Sequence, residues 1–435
     1  MSPRALAQAS RSAISPDRPR RFTHAALAAV TLSCLLPTSA QASLPELFGM
    51  GGRTSAMGGT GAAYATGFDA AYANPAGLWQ SGRQLSIGTV YGGYGLSLRN
   101  PQDGSTSDYP IDATSGLILG GSFTLPLGGV LRDRIGTALA LYTPFGLINR
   151  AHDPFPDVPR APVLDGRTQV VSVLIGTGIR LPAGFSVGGG ALALAALVGT
   201  ITITPDGSGR ITSISEQQLT VDYAPIVGVR WQGLSDRLAL GAVFRGASRS
   251  SYRLTVSTKL GDALPIELPL IYFAGSAQYD PLQVGLEVAG RLRPSLLLVA
   301  QATWKRWSAY EYPVLPATKS AAPLPKPGFH DTVVPRLAVE STWALGAWGQ
   351  LALRGAYQFE WSPAPDPPAP ALTEDSRPSN LHDADRHILS AGLGLQIKGR
   401  VPLTFDVFGQ GHILGPHSTL GGGLGVVGVV MGYQL

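Results

Sequence analysis

Residues 351–361 read LALRGAYQFEW, and apolar and polar side chains alternate along this stretch. One set of alternate positions holds leucine, tyrosine, phenylalanine and tryptophan beside a single glycine. The other set holds Arg354, Gln358 and Glu360 among alanines. Successive side chains of a β-strand point to opposite faces, so this pattern predicts a strand with one apolar and one polar face.

The same alternation recurs along most of the chain after residue 83. The predicted strands begin at residues 84, 115, 134, 168, 184, 217, 237, 280, 296, 333, 348, 386, 401 and 421. Their connections alternate between short ones, at 182–184, 233–236, 293–295 and 399–400, and long ones, at 100–114, 144–168, 309–332 and 362–385. Short turns at one end and long loops at the other are typical of outer-membrane barrels, whose strand number is even. The sequence therefore predicts an all-β fold, a transmembrane antiparallel β-barrel of about 14 strands.

Two places interrupt this regular pattern. Residues 251–279 fit no single strand, and we interpret them as a possible extension of a hairpin above the membrane. In the strand that begins at residue 184, the apolar phase changes at Gly188–Gly190, since Leu192 and Leu194 share the opposite phase from Phe185. This change predicts a bulge or kink, and the alternative is a short helix over residues 191–197.

The composition supports strands with one face in lipid. Charged residues make up 14% of the chain, whereas about 25% is usual in soluble proteins. Outside the N-terminus the chain has no run of about 20 apolar residues, which a membrane-spanning helix requires. Aromatic residues collect near the ends of the predicted strands, as they do in the interfacial girdles of barrels.

The first 42 residues have the features of a secretory signal peptide. A basic region precedes the apolar core 25–36, and Ala40-Gln41-Ala42 fits a cleavage site with small residues. This leader contains Cys34, the single cysteine, so a mature chain would have neither disulfides nor thiol chemistry. It also carries a net charge of +4 out of the total of +5. The basic balance therefore gives no reason to expect a nucleic-acid partner.

Residues 43–83 are rich in glycine and alanine, and we predict that they form a hatch or plug inside the barrel. So short a segment of small residues cannot bury enough apolar surface to fold alone, so it orders only against another part of the chain. The predicted organisation is thus a signal peptide at 1–42, a hatch at 43–83 and the barrel at 84–435.

Five stretches together resemble the FadL-like (FadL/TodX) outer-membrane transporters for long-chain fatty acids and other hydrophobic compounds. They are NPAGL at 74–78, ATWKRWS at 302–308, FHDT at 329–332 leading into RLAVE at 336–340, YQFEWSPAP at 357–365, and DADRH at 383–387 before LSAG. The resemblance implies a 14-stranded barrel with an N-terminal hatch. It also implies that Asn74, Pro75, Ala76, Gly77 and Leu78 lie beside the ligand path.

The implied function is passive uptake of hydrophobic molecules, such as long-chain fatty acids or aromatic hydrocarbons. Uptake would proceed by capture at external loops, rearrangement of the hatch and lateral release into the membrane. The alternatives are a general porin for polar solutes and a surface barrel that binds a partner. We expect a monomer in the outer membrane of a Gram-negative cell. Its expected partners are membrane lipid, lipopolysaccharide and the barrel-assembly machinery.

Two sets of candidate ligand contacts follow from the residues. The loop with Phe145, Leu147, Ile148 and Phe155 is unusually apolar for an external segment, which indicates a capture site or, equally, packing between loops. The lumen cations Arg245, Arg336 and Arg354 could each anchor a ligand carboxylate. The alternative for these cations, which we favour, is a lumen whose charges neutralise one another.

Three motifs that suggest other chemistry lack the setting that it needs. Residues 184–188 match the GxSxG nucleophile elbow, but they lie at a turn between strands and not in an α/β fold. Residues 423–428 match GxGxxG, but no βαβ unit surrounds them. His382, Asp383, Asp385 and His387 more closely fit a solvated loop than a metal site. We therefore expect no enzymatic activity, no cofactor and no metal.

Overall fold

The computed structural model of the protein describes residues 44–100, 103–146, 159–165, 170–205, 211–258, 270–311, 326–365, 381–415 and 419–435. The predicted signal peptide lies outside these residues. Seventeen strands make one connected sheet, and fourteen of them close into an antiparallel β-barrel. No helix within the described ranges has both the length and the apolar character that a membrane crossing requires.

The strands follow the chain as β1 (Gln84–Arg99), β2 (Thr106–Tyr109), β3 (Thr114–Thr124), β4 (Ile135–Pro144), β5 (Ser172–Arg180), β6 (Phe185–Pro205), β7 (Ile211–Gly233), β8 (Leu238–Arg245), β9 (Ser248–Thr258), β10 (Ile271–Asp280), β11 (Gln283–Arg293), β12 (Leu296–Lys305), β13 (Thr332–Ala344), β14 (Gly349–Glu360), β15 (Arg386–Ile397), β16 (Leu403–Leu414) and β17 (Leu420–Gln434). Three strands, β2, β9 and β10, stand outside the ring. β2 pairs with the end of β1, and β9 pairs with β10 and, in parallel, with the outer part of β6.

Each of the other strands pairs with the next one around the ring, and β17 returns to β1. The closing pair runs from Gln84 opposite Gln434 to Leu98 opposite Leu420 without a break in register. The prediction of an all-β antiparallel barrel is confirmed. Twelve of the fourteen predicted strand starts lie within three residues of the observed ones, and the starts predicted at 168 and 217 lie at Ser172 and Ile211. The ambiguous residues 251–279 contribute the β9–β10 hairpin outside the ring.

The predicted bulge at Gly188–Gly190 is wrong, and so is the alternative of a helix over residues 191–197. β6 keeps one register against β5 and against β7 through these glycines. Leu192 and Leu194 are buried because they point into the barrel, whereas Phe185 and Val187 point outward. The apparent change of phase arises because the inner face of the wall is itself apolar here.

The outer face of the barrel is apolar, as the alternation predicts. In β14, Leu353, Tyr357 and Trp361 beside its end are exposed, whereas Arg354 and Glu360 are buried inside the ring. Short turns such as 182–184 and 294–295 lie at one end of the barrel, called here the short-turn end. The opposite end is called the long-loop end.

Three short helices precede the first strand: α1 (Leu44–Phe48), α2 (Gly52–Ala56) and α3 (Ala70–Ala73). A 3-10 turn at Pro75–Gln80 follows α3, and other 3-10 turns lie at Gly129–Leu131, Pro182–Gly184 and Trp307–Ala309. The Asn74 side chain accepts a hydrogen bond from the Ala76 amide, and Pro75 occupies the first position of the turn. Both features are typical starts of helical turns, because they satisfy or remove free N–H groups.

Candidate ligand path inside the barrel

Residues 44–82, called here the N-terminal segment, pack against inward-facing side chains of the barrel. Leu44, Phe48, Met57 and Leu78 are fully buried, although these residues belong to helices and turns too short to bury them. Hydrogen bonds join the segment to strands on both sides of the ring, as described below. The boundaries 43–83 and the role of the segment as a movable hatch stay predictions.

A row of four glycines on adjacent strands seats the NPAGL turn. They are paired directly across β4, β5, β6 and β7, and they are Gly136, Gly178, Gly188 and Gly228. A Cβ atom on any of them would overlap the turn: at Gly178 it would meet the Pro75 carbonyl, and at Gly228 the Asn74 side chain. Glycine in a strand often marks such a close approach of another backbone. We call these residues the glycine row.

Asn74 ties the turn to itself and to the wall. Its Nδ2 donates to the carbonyl of Ala62 at 2.7 Å, to that of Val229 at 3.1 Å and to that of Ala242 at 3.3 Å. Its Oδ1 accepts from the Ala76 amide at 3.0 Å. The side chain is almost fully buried, so each of these polar contacts replaces a hydrogen bond to water. The predicted hatch residues Asn74, Pro75, Ala76, Gly77 and Leu78 therefore lie together against β4–β8.

On the long-loop side of the glycine row, the inner face of the barrel is apolar. The apolar wall consists of Ile118, Tyr142, Leu174, Leu192, Leu194 and Ile226. These side chains belong to one buried cluster with Leu44, Leu47 and Phe48 of α1. The N-terminal segment thus covers an apolar surface inside the lumen.

The opposite inner face carries charge. The charged wall consists of Glu287, Lys305, Glu340, Arg354, Glu360, Arg386 and Asp406. Glu340 pairs with Arg53 of α2 at 2.7 Å and with Arg354 at 2.8 Å, and Arg354 also pairs with Asp406. A cavity of about 360 Å³ beside these ion pairs is lined at the short-turn end by Gln84, Pro294 and Gln350. The part of the lumen between the N-terminal segment and the short-turn end is therefore polar.

Glu287 holds the loop between α2 and α3 through backbone groups alone. Its carboxylate accepts from the amides of Gly61 at 2.7 Å, Ala62 at 3.0 Å and Ala63 at 2.8 Å. Hydrogen bonds to an ionised acceptor are roughly twice as strong as neutral ones. This contact fixes the segment to β11.

A second set of charges lies nearer the long-loop end and includes Glu46 of α1. The Lys305 Nζ lies 2.8 Å from Glu46 Oε1 and also pairs with Glu360. The Tyr72 hydroxyl donates to the Glu46 carboxylate at 2.6 Å. Glu360 in turn pairs with Arg386 at 3.0 Å. All four charged side chains are at most 6% exposed.

The three predicted anchors differ in their partners. Arg245 donates to the carbonyls of Tyr72 at 3.0 Å and Ala73 at 3.2 Å, so it holds the end of α3. Arg354 belongs to the ion pairs of the charged wall. Arg336 donates to Gln358, Gln301 and Thr303, and within the described ranges it has no carboxylate at ion-pair distance. Of the three, Arg336 keeps the most capacity for an anionic ligand.

The predicted capture loop falls mostly outside the described residues. Phe145 follows β4 and is half-buried, whereas Leu147, Ile148 and Phe155 are not among them. In the next described part of this loop, Val163 and Leu164 are fully buried against other residues of the barrel. Packing inside the molecule thus accounts for these two apolar side chains.

The residues of the weaker motifs have separate structural partners. Ser186 of the GxSxG match is buried within β6 and not exposed on an elbow. His382 bonds Thr419, His387 bonds Tyr357, and Asp385 accepts from the Ser362 amide. In the part of the chain that the structure describes, no group of His, Cys, Asp and Glu could hold a metal ion.

Asp383 lies beside Arg386 in the loop before β15, outside the strands of the ring. Burial raises the pKa of its carboxyl to about 6, and the positive charge of Arg386 opposes this rise. The group therefore changes its charge in the pH range just below neutral.

Comparison with solved structures places this architecture. A Pseudomonas aeruginosa FadL homologue matches with a TM-score of 0.58 and 14% identity, covering 92% of this chain and 99% of the other. The P. putida toluene transporter TodX has a TM-score of 0.52 and 15% identity, with 89% and 98% covered. The Ralstonia pickettii toluene transporter TbuX has a TM-score of 0.52 and 15% identity, with 89% and 99% covered.

The fold is that of the FadL-like channels. Two of these three matches are described as toluene transporters. No family model matches the sequence. No curated protein sequence matches it either. At identities of 14–15%, the FadL-like fold is recognised through its geometry and not through close sequence similarity.

Sequence reasoning missed two features of this FadL-like barrel. Glu46 lies in LPELF before the glycine-rich stretch, where nothing in the local pattern marks it as a partner of Lys305. The glycine row is an inward glycine in each of four successive strands. That pattern becomes visible only when the register of the strands is known.

Proposed function

We propose that this barrel is an outer-membrane channel for the passive uptake of hydrophobic molecules. The observation that carries the proposal is an apolar wall inside the lumen that the N-terminal segment covers. A water-filled pore for polar solutes has no need of such a surface. The names of the structural neighbours, a FadL homologue and two toluene transporters, agree with fatty acids or aromatic hydrocarbons as ligands.

The route that we propose begins at the long loops, where the ligand is captured. It continues along the apolar wall when the N-terminal segment rearranges. Straight passage to the short-turn end is unfavourable, because an apolar molecule would have to enter the polar cavity beside Arg53, Glu340 and Arg354. Lateral release through the wall into the membrane avoids that cavity. No energy source is required, since the ligand moves down its concentration gradient.

Uptake by cells that express altered barrels tests this function. Deletion of residues 43–82, or Ala76→Trp, is expected to change the uptake rate of dodecanoate or toluene while the barrel still assembles. Ala76 is fully buried against β6, and a tryptophan there has no room. Gln80→Trp is the matched control, because Gln80 is exposed at the end of the same turn. Unchanged uptake in both test variants would contradict the role of the segment.

A general porin is the second candidate, and the charged wall favours it. The discriminating measurement is ionic conductance in a planar bilayer. We expect the native barrel to conduct weakly, because the segment lies between the apolar wall and the charged wall. A steady conductance typical of an open pore in the native protein would favour the porin.

A further inference from the structure

The short-turn end of the barrel carries a high density of exposed positive charge. Three turns hold two cations each: Arg132 and Arg134 before β4, Arg291 and Arg293 at the end of β11, and Lys398 and Arg400 before β16. Three further arginines lie at the same end, namely Arg83, Arg180 and Arg237. We call these nine exposed cations the basic rim.

The charge of the basic rim is out of balance with the rest of the chain. Only two exposed carboxylates, Asp133 and Asp236, lie in the same turns, so this end has a net charge of +7. The chain after residue 42 has a net charge of +1 in total, and everything outside the rim therefore carries a net charge of −6. The positive charge is thus concentrated at one end of the barrel.

The cations surround the barrel and do not form a patch on one side. The short-turn end has seven connections between neighbouring strands, if the closure of β17 onto β1 is counted. Six of the seven carry at least one cation of the basic rim, and only the turn between β13 and β14 carries none. A partner that meets this charge therefore has to be present on nearly every side of the barrel.

Within the described ranges, little of this charge is neutralised by neighbouring residues. Arg132 lies 3.7 Å from Asp133, but both side chains are about 80% exposed. None of the other eight cations has a described carboxylate at ion-pair distance, and the Arg180 guanidinium lies 4.6 Å from the centre of the Trp79 ring. At the long-loop end, by contrast, the exposed Arg249 pairs with Glu311 at 2.8 Å. The basic rim thus presents its charge to its surroundings.

Apolar side chains lie among these cations. Five of them in the same turns are more than half exposed: Val130, Leu234, Leu292, Trp348 and Val401. Leu292 stands between Arg291 and Arg293 in the chain, so apolar and cationic side chains are close neighbours. Exposed apolar groups interleaved with arginine and lysine are typical of surfaces that lie at the boundary between acyl chains and anionic headgroups. Tryptophan is enriched at the same boundary.

We propose that the basic rim binds the phosphate headgroups of anionic phospholipids in the leaflet that surrounds the short-turn end. The guanidinium group presents a planar set of donors that matches phosphate oxygens, and long basic side chains reach headgroups while their stems lie along apolar surface. Short turns of outer-membrane barrels lie on the periplasmic side, so the leaflet is the inner one. The inference rests on the outer-membrane location in the proposed function and not on the transported ligand.

Electron spin resonance of the full-length barrel in phosphatidylcholine vesicles tests this preference, because it separates lipid held at the protein surface from free lipid. The probes are spin-labelled phosphatidylglycerol, which is anionic, and spin-labelled phosphatidylcholine, which is zwitterionic. We expect the anionic probe to associate about threefold more strongly at low salt, since one of the two leaflets meets the basic rim. At about 1 M salt, where the Debye length is about 3 Å, the two probes should associate nearly equally.

Four substitutions at exposed positions remove more than half of the net charge of the rim: Arg134→Gln, Arg293→Gln, Lys398→Gln and Arg400→Gln. In this quadruple variant the preference for the anionic probe should fall below about 1.5-fold. The salt dependence tests the unsubstituted barrel, so the proposal stays falsifiable even where the variant fails to fold.

The matched control removes four exposed cations from the long-loop end: Arg99→Gln, Arg253→Gln, Arg306→Gln and Lys326→Gln. It changes the net charge equally and should keep the native preference. An equal loss in this control, or a preference that salt does not weaken, would overturn the proposal. Equal association of both probes with the native barrel would also overturn it and would point to an acidic soluble protein as the partner. A native barrel that enters no vesicle would contradict the outer-membrane function and this inference with it.

Discussion

The apolar wall and the charged wall hold the same N-terminal segment in different ways. Against β4–β7 the segment approaches so closely that the glycine row leaves no room for side chains. Against β11–β16 it also packs closely, at Gly52, Ala56 and Gly58, but there the charged side chains Glu287, Glu340 and Lys305 hold it as well. The first contact depends mainly on shape, and the second adds charge.

This difference divides the lumen into a part that suits apolar ligands and a part that anchors the segment. Close packing without ion pairs can be broken and remade without exposing a buried charge, whereas the ion pairs are costly to break singly. We therefore expect the segment to separate from the apolar wall while its ion pairs with the charged wall stay intact. The first two of the three predictions below test this division.

The largest effect is expected from filling the glycine row. Gly178→Leu places a side chain where the Pro75 carbonyl lies, and backbone atoms cannot turn aside as a side chain can. Overpacking of this kind costs about 3 kcal/mol, enough to displace the NPAGL turn. The expected result is a higher ionic conductance in planar bilayers than that of the native barrel.

Gly189→Leu is the control for this substitution. Gly189 lies in β6 beside Gly188, but a Cβ there meets no atom within 4 Å. Its conductance should stay at the native level. If Gly178→Leu conducted no more than this control, the glycine row would not be what seats the turn.

A smaller and more local effect is expected on the charged wall. Glu287→Gln keeps one acceptor oxygen but loses the charge that strengthens the bonds from Gly61, Ala62 and Ala63. The hydrogen exchange of these three amides should become roughly tenfold to a hundredfold faster. Exchange at the Ala76 amide serves as the internal reference, because Asn74 and not Glu287 holds it. Equal acceleration at Ala76 would show that the two walls do not act separately.

The smallest effect concerns Asp383, beyond the charged wall. Since burial raises the pKa of its carboxyl to about 6, this group stabilises the fold only while it is protonated. Its contribution is fully present below its ordinary pKa and is lost as the pH rises through about 6. Asparagine cannot ionise, so Asp383→Asn should gain thermal stability relative to the native barrel as the pH rises from 4 to 7. The temperature at which the folded band disappears in gel electrophoresis measures this gain, and a pH-independent difference would contradict it.

The strands of the barrel were predictable from the sequence, because their outer faces meet a uniform apolar environment. In β14 the outward Leu353 and Tyr357 alternate with the inward Arg354 and Gln358, so the period of 2 is plain. In β6 the inward Leu192 and Leu194 are apolar as well, and the alternation that marks a strand disappears. The error at Gly188–Gly190 has this cause.

The candidate site was predictable only in part. The NPAGL stretch was indicated by its resemblance to the FadL-like channels, and it forms a turn whose first residues, asparagine and proline, suit that role. The partners of the site were not found, since Glu46 and Lys305 are about 260 residues apart in the chain and meet only after the barrel has closed. The same holds for Arg53 with Glu340, whose charges are unremarkable until the register of β13 is known.

The pairing of β1 with β17 has a consequence for how the molecule is made. This seam joins residues that are as much as about 350 positions apart in the chain, so it can form only after the intervening strands have been brought near their final places. Before that moment both β1 and β17 expose unpaired edges, which invite association with other chains. A substitution that disrupts β17 should therefore act while the barrel assembles. It would leave the whole barrel open and prone to aggregation, and not merely weaken one part of the finished protein.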